Sequence, residues 1–137
     1  MPPINVVAIL VAAVAAWLTG AVWYGVLGRH WLAALGWSEA DMIGADGKRH
    51  MPVGPMLLSF VAALVMAVML SGLMGHVGPL TVRSGVISGA LVWLGFVIPT
   101  IAVNNAFQKR KAMLTVIDGG HWLLVLIVQG AVLGLMG

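Results

Sequence analysis

Four residues carry most of the chemistry this sequence could do: Asp118 and His121, three positions apart, with Tyr24 and Asn104 elsewhere in the chain. A carboxylate and an imidazole one helical turn apart can share or relay a proton, or hold a cation between them. Asp118 stands out because it alone of 11 Asp, Glu, Lys and Arg residues falls inside a long apolar run. A plainer reading is open beside this one. Thr115-Val116-Ile117-Asp118 has the spacing of a capping box, with Thr115 as N-cap, Asp118 turned back to the helix start and Lys111 close enough to reach it. Asn104-Asn105 is open in the same way, between contacts across helices, helix termination and a solute contact.

Helical periodicity groups these residues with others. At 100° per residue, Trp17 and Tyr24 fall within about 20° of each other, as do Trp93, Thr100 and Asn104 on an unswung helix. Asp118 and Gln129 lie about 20° apart as well, with His121 on their flank. Three helices are thus expected to turn a polar or aromatic stripe inward, subject to Pro99, which interrupts the third. Trp23, Tyr24 and Trp122 also suit an aromatic belt at the membrane surface.

Other chemistries lack their residues. The chain has no Cys, which excludes disulfides and thiolate sites. His30, His50 and His121 have no metal-ligand spacing, and His76 falls on the opposite side of the membrane, so no metal is expected. There is no phosphate-binding glycine loop and no nucleophile beside a positioned base, so no catalytic residue and no cofactor is assigned. Seven scattered Lys and Arg residues form no basic face for nucleic acid.

The elements that must position the four residues follow from composition. Of 137 residues 61% are hydrophobic and 8% charged, against about 25% in soluble domains, so the solvent for most of the chain is lipid. Charge-free runs place spans at about 4–28, 55–77, 84–107 and 114–137, and an unpaired backbone in hydrocarbon requires each to be a helix. The first run follows Met1-Pro2-Pro3, which has no basic residue, and is read as a retained span. The fold class is therefore all-α: one polytopic transmembrane domain, four helices in a bundle, contacting the lipid bilayer.

Trp31, Leu32 and Leu35 share a face suited to a short interfacial helix. Ser38-Glu39-Ala40-Asp41 reads as a capping box starting another, and Asp46-Gly47 as a turn. Arg29, Lys48, Arg49, Lys109, Arg110 and Lys111 lie on one side and Arg83 on the other. The positive-inside rule puts the six in the cytoplasm and both termini outside, in a bacterial inner membrane.

Small residues concentrate toward the outer end. Gly85-x-x-x-Gly89 and Gly130-x-x-x-Gly134 fall at matching depth on antiparallel helices, open between an internal packing seam, an oligomer contact and the chance recurrence expected of Gly-rich spans. Close packing there and bulky side chains at the cytoplasmic end imply a bundle that widens inward to a vestibule.

The chain resembles the family of small bacterial membrane proteins catalogued as domain of unknown function 1761, from Ile4 to Leu135. The resemblance rests on Trp23-Tyr24-Gly25, the Leu35-Gly36-Trp37-Ser38-Glu39-Ala40-Asp41 loop, Trp93-Leu94-Gly95-Phe96, Asn104 and Asp118-Gly119-Gly120-His121. Val26-Leu27-Gly28 departs from the Pro-Leu-Phe-Gly common in the family. The family has no established activity, so it implies no catalytic residues.

The expectation from the residues is a small homo-oligomeric transporter or solute-binding membrane protein. Its solute or proton would be handled by Tyr24, Asn104, Asp118 and His121. The alternative is a non-catalytic assembly or regulatory subunit of a membrane complex. Small multidrug transporters carry an acid deep in the first span, which this chain lacks.

Overall fold

A computed structural model describes residues 4–49 and 52–137. His50 lies outside them. Among the described residues all the regular structure is helical apart from a single antiparallel bridge between Ile43 and Arg49. The helices are α1 (Val6–Leu35), α2 (Val53–Val77), α3 (Val82–Val92), α4 (Ile98–Phe107) and α5 (Ala112–Met136). A wide turn, Trp93–Val97, joins α3 to α4, and the two form one element over Val82–Phe107. Four helices are thus long and apolar enough to cross a membrane.

The ends of these helices are set by local chemistry. Asn5 caps α1 by accepting the Ala8 N–H at 3.0 Å, and its amide donates to the Met136 carbonyl at 3.1 Å, tying the start of α1 to the end of α5. α1 stops at Gly36, whose left-handed φ of 77° a side chain would resist, and Trp37 N–H closes back on the Leu32 carbonyl at 2.9 Å. Thr81 and Ser84 form a reciprocal capping box at the start of α3.

The sequence expectation separated a short interfacial helix, with Trp31, Leu32 and Leu35, from the first span. The structure instead continues α1 without a break from Val6 to Leu35. Gly28 and Arg29 do not stop it, because no proline or left-handed residue intervenes before Gly36. At 1.5 Å per residue α1 is about 45 Å long, more than the roughly 30 Å hydrocarbon core. The Ser38–Asp41 capping box does form, over a single short turn, Glu39–Met42.

The wide turn has a direct cause. In an unbroken α-helix the ring of Pro99 would meet the carbonyl of Gly95. The chain instead opens by one residue, with the Ile98 N–H bonding the Trp93 carbonyl five positions back.

α5 is the central helix, in contact with α1, α2, α3 and α4. Ala8, Ile9 and Ala12 on α1 pack against Ala67, Leu70 and Met74 on α2 and Leu126 and Leu133 on α5. A second cluster, at the other end, joins Ala34 to Leu114 and Ile117 beneath Tyr24, Leu27 and Trp31. The opposite faces carry exposed apolar residues, among them Leu10, Val14, Leu18, Val22 and Val26 in steps of four along α1. In water such faces would be a liability; in lipid they are the expected exterior.

α3 and α5 approach backbone to backbone. A Cβ added at Gly85 would lie 1.8 Å from the Gly130 carbonyl oxygen, and one at Gly89 would lie 2.5 Å from that of Leu126. A Cβ at Gly134 would lie 2.0 Å from the Thr81 oxygen. No side chain fits along this seam within the chain.

Candidate functional site

α1 and α5 bring Tyr24, Asp118 and His121 together. The Tyr24 hydroxyl donates to Oδ1 of Asp118 at 2.5 Å. The Tyr24 ring lies 4.9 Å from the imidazole of His121, centroid to centroid. Trp31 meets Tyr24 edge-on at 5.8 Å, and Trp122 meets His121 at 4.6 Å. The continuity of α1 is what puts Trp31 here, two turns below Tyr24 on one face.

Two indoles brace the stretch of α5 around Asp118. Trp23 donates to the Ile117 carbonyl at 3.0 Å and Trp93 to the Gly119 carbonyl at 2.7 Å. The glycines of Asp118-Gly119-Gly120-His121 make room for neighbouring side chains. A Cβ at Gly120 would lie 2.8 Å from the Trp23 ring, and one at Gly119 would lie 2.4 Å from Ile98. Gly20 performs the same service for the imidazole, since its Cβ would lie 2.7 Å from Nε2 of His121. Nδ1 of His121 is buried with no hydrogen-bond partner among the described residues.

The capping-box reading of Thr115 and Asp118 does not hold. α5 starts at Ala112, with Lys111 as its N-cap residue, so Asp118 sits in the second turn, too far in to bond the first N–H groups. Thr115 accepts instead from the Asn105 amide at 3.1 Å. Lys111 does not reach Asp118 either; its ammonium donates to the Ala33 carbonyl at 3.3 Å, near the end of α1.

Asn104 does not join the cluster. It is exposed on α4, as is Thr100, whose hydroxyl donates back to the Phe96 carbonyl at 2.6 Å. The reason is the wide turn: one extra residue there rotates everything after it, so only Trp93 of the expected stripe faces α5. Gln129 is fully buried, its amide donating to the Ala63 carbonyl of α2 at 2.9 Å, with Oε1 left unpartnered.

Beside the Tyr24–His121 contact a half-open cavity of about 440 Å³ lies between α1, α2 and α5, lined also by Met42 and Arg49 of the connecting loop. Its walls are mostly apolar and aromatic, including Trp17, Tyr24, Trp31 and Trp122. Trp17 is held there by donating to Ser59 Oγ at 3.0 Å. At the rim, Arg49 donates to Glu39 at 3.3 Å. The opposite end is less closed than expected from its small residues, for a groove of about 470 Å³ lies there, lined by Asn5, Met69, His76 and Leu80 among others. That groove contains neither Tyr24 nor His121. Among the described residues, no three His, Asp or Glu side chains converge as a metal site would need.

A family model described as "Protein of unknown function (DUF1761)" matches residues 7–134. The chain belongs to this family. The match spans α1 through nearly all of α5 and so includes every residue of the Tyr24–Asp118–His121 cluster. No curated protein and no solved structure matches the chain. This DUF1761 member is accordingly a multi-pass membrane protein whose family membership assigns it no activity.

Proposed function

We propose that this DUF1761 protein is a small solute-binding or transport protein of the bacterial inner membrane, acting as one transmembrane domain. The solute enters the cavity between α1, α2 and α5 from the end that carries the basic loops, which faces the cytoplasm. The observation behind this reading is a carboxylate within a membrane-length helix, Asp118, hydrogen-bonded to a side chain that itself lines a cavity, Tyr24. Ionisable groups at membrane depth are costly to keep, and a cavity next to one is where binding energy or a proton can be used. Tyr24 and His121 form the polar wall, and Asp118 sets the orientation and charge of that wall through the Tyr24 hydroxyl.

Asn104, exposed on α4, has no part in this site. Four helices of this length enclose little volume, so a continuous aqueous path is built between copies in a homo-oligomer. Gly85, Gly89, Gly130 and Gly134 serve the fold within one copy, since their approach is already taken up by α3 and α5.

The test is solute flux and solute-induced thermal stabilisation in liposomes over a broad panel, for wild type and Asp118→Asn. A solute that stabilises wild type and loses its effect in Asp118→Asn supports the reading. Indistinguishable behaviour of the two proteins across the panel refutes it and favours a non-catalytic subunit.

A further inference from the structure

We propose that the solute class of the loop-end cavity is a lipophilic organic cation, an apolar body bearing a quaternary or protonated centre. The inference deepens the solute-binding reading and rests on it.

Three observations converge. Trp17, Tyr24, Trp31 and Trp122 line one cavity of about 440 Å³. Aromatic rings present a negative face, and several of them around one space favour a cation stripped of water. Directly behind this wall stands Asp118, bonded to Tyr24. Among the described residues Asp118 has no cationic partner, the ion pair found being Arg49 with Glu39. The nearest expected partner, Lys111, is engaged at Ala33. An unpaired carboxyl in a low-dielectric setting favours ionisation only where a compensating charge is at hand, and a cation in the cavity supplies one.

The third observation concerns the rim. Arg49, the one Lys or Arg among the described lining residues, is matched in charge by Glu39, so entry of a cation meets no net positive barrier from this pair. An anion of the same shape would face the aromatic ring faces and the carboxylate with nothing to gain from either. A neutral analogue would gain the apolar contact alone.

The experiment uses the full chain in nanodiscs, with binding measured above that of protein-free nanodiscs. The probes are tetraphenylphosphonium, its isosteric anion tetraphenylborate, and neutral triphenylphosphine oxide. Tetraphenylphosphonium is expected to bind saturably, and Asp118→Asn is expected to weaken it roughly tenfold. Trp31→Leu, which keeps the carboxylate, is a second variant with a similar expected loss, and Leu91→Ala on the outer face of α3 is the unaffected control. Equal binding of the anion or the neutral analogue overturns the cation assignment and leaves the solute-binding reading standing. Absence of tetraphenylphosphonium binding, or equal binding by wild type and both site variants, also overturns it. The solute-binding reading itself is then decided by the wider panel.

Discussion

The Tyr24 hydroxyl donates to Oδ1 of Asp118 at 2.5 Å, across 94 positions of sequence, and this bond joins the first membrane-length helix to the last. Trp23 makes a parallel bond to the backbone of the same turn, at Ile117. Side chain and backbone of α5 are therefore held from α1 at the same level. The carboxylate is consequently held at a fixed place behind the cavity wall, with its orientation set by Tyr24.

Tyr24→Phe keeps the ring and removes the donor. It is expected to destabilise the folded protein by about 1–3 kcal/mol, the range for leaving a buried polar group without its partner. In a double-mutant cycle with Asp118→Asn the two losses are expected to be non-additive, with a coupling of about 1 kcal/mol or more by reversible unfolding. Strict additivity would mean that the bond contributes nothing to stability.

The glycine seam should discriminate sharply by position. Gly85→Ala places a methyl 1.8 Å from the Gly130 carbonyl oxygen, which forces α3 and α5 apart at an expected cost above about 2 kcal/mol. Gly72→Ala on α2 meets nothing within 4 Å and should be neutral, or stabilising by up to about 1 kcal/mol through helix propensity. Thermal unfolding in detergent of the two variants, side by side, checks the contrast.

Gly20→Ala acts on the site while sparing the fold. Its methyl would come within 2.7 Å of Nε2 of His121, the far end of a movable side chain, so the ring shifts and the helices stay. Stability should change by less than about 1 kcal/mol, since the added methyl also favours helix. Solute binding, measured as in the cavity experiment, should weaken; unchanged affinity would place His121 outside the binding wall.

Gln129→Met tests a buried polar group on α5 that is only half satisfied. The substitution removes one hydrogen bond to Ala63 and also the unpartnered Oε1. A net bond is worth about 0.5–1.5 kcal/mol and an orphaned buried acceptor costs about 1–3 kcal/mol, so the change should be neutral or stabilising. A marked loss of stability would show that Oε1 has a partner in the membrane-bound protein, such as an ordered water.

Orientation can be read directly because the chain has no Cys. Gln108→Cys and Gly78→Cys put single thiols in exposed connections at opposite ends of the bundle. With the basic loops in the cytoplasm, a membrane-impermeant maleimide applied to intact cells should label the second and spare the first. The reverse pattern would invert the topology.

The sequence alone determined the all-helical class and the number of membrane-length helices, because lipid leaves a spanning backbone no other way to satisfy its N–H and C=O groups. It also singled out Asp118, since one charge inside an apolar run needs no tertiary information to notice. It located the Gly85 and Gly130 spacings as well, though not whether they faced each other or another copy.

Which groups meet was decided only in three dimensions. Helical phase accumulates at about 100° per residue, so the one-residue widening at Trp93–Val97 is enough to carry Thr100 and Asn104 off the inner face. In the other direction, the unbroken run of α1 through Gly28 keeps Trp31 in phase with Tyr24. The start of α5 at Ala112 rather than Thr115 turned a possible helix cap into a carboxyl held by a tyrosine from the far end of the chain. Periodicity specifies the faces of a helix, and its exact register and its neighbours are settled by packing.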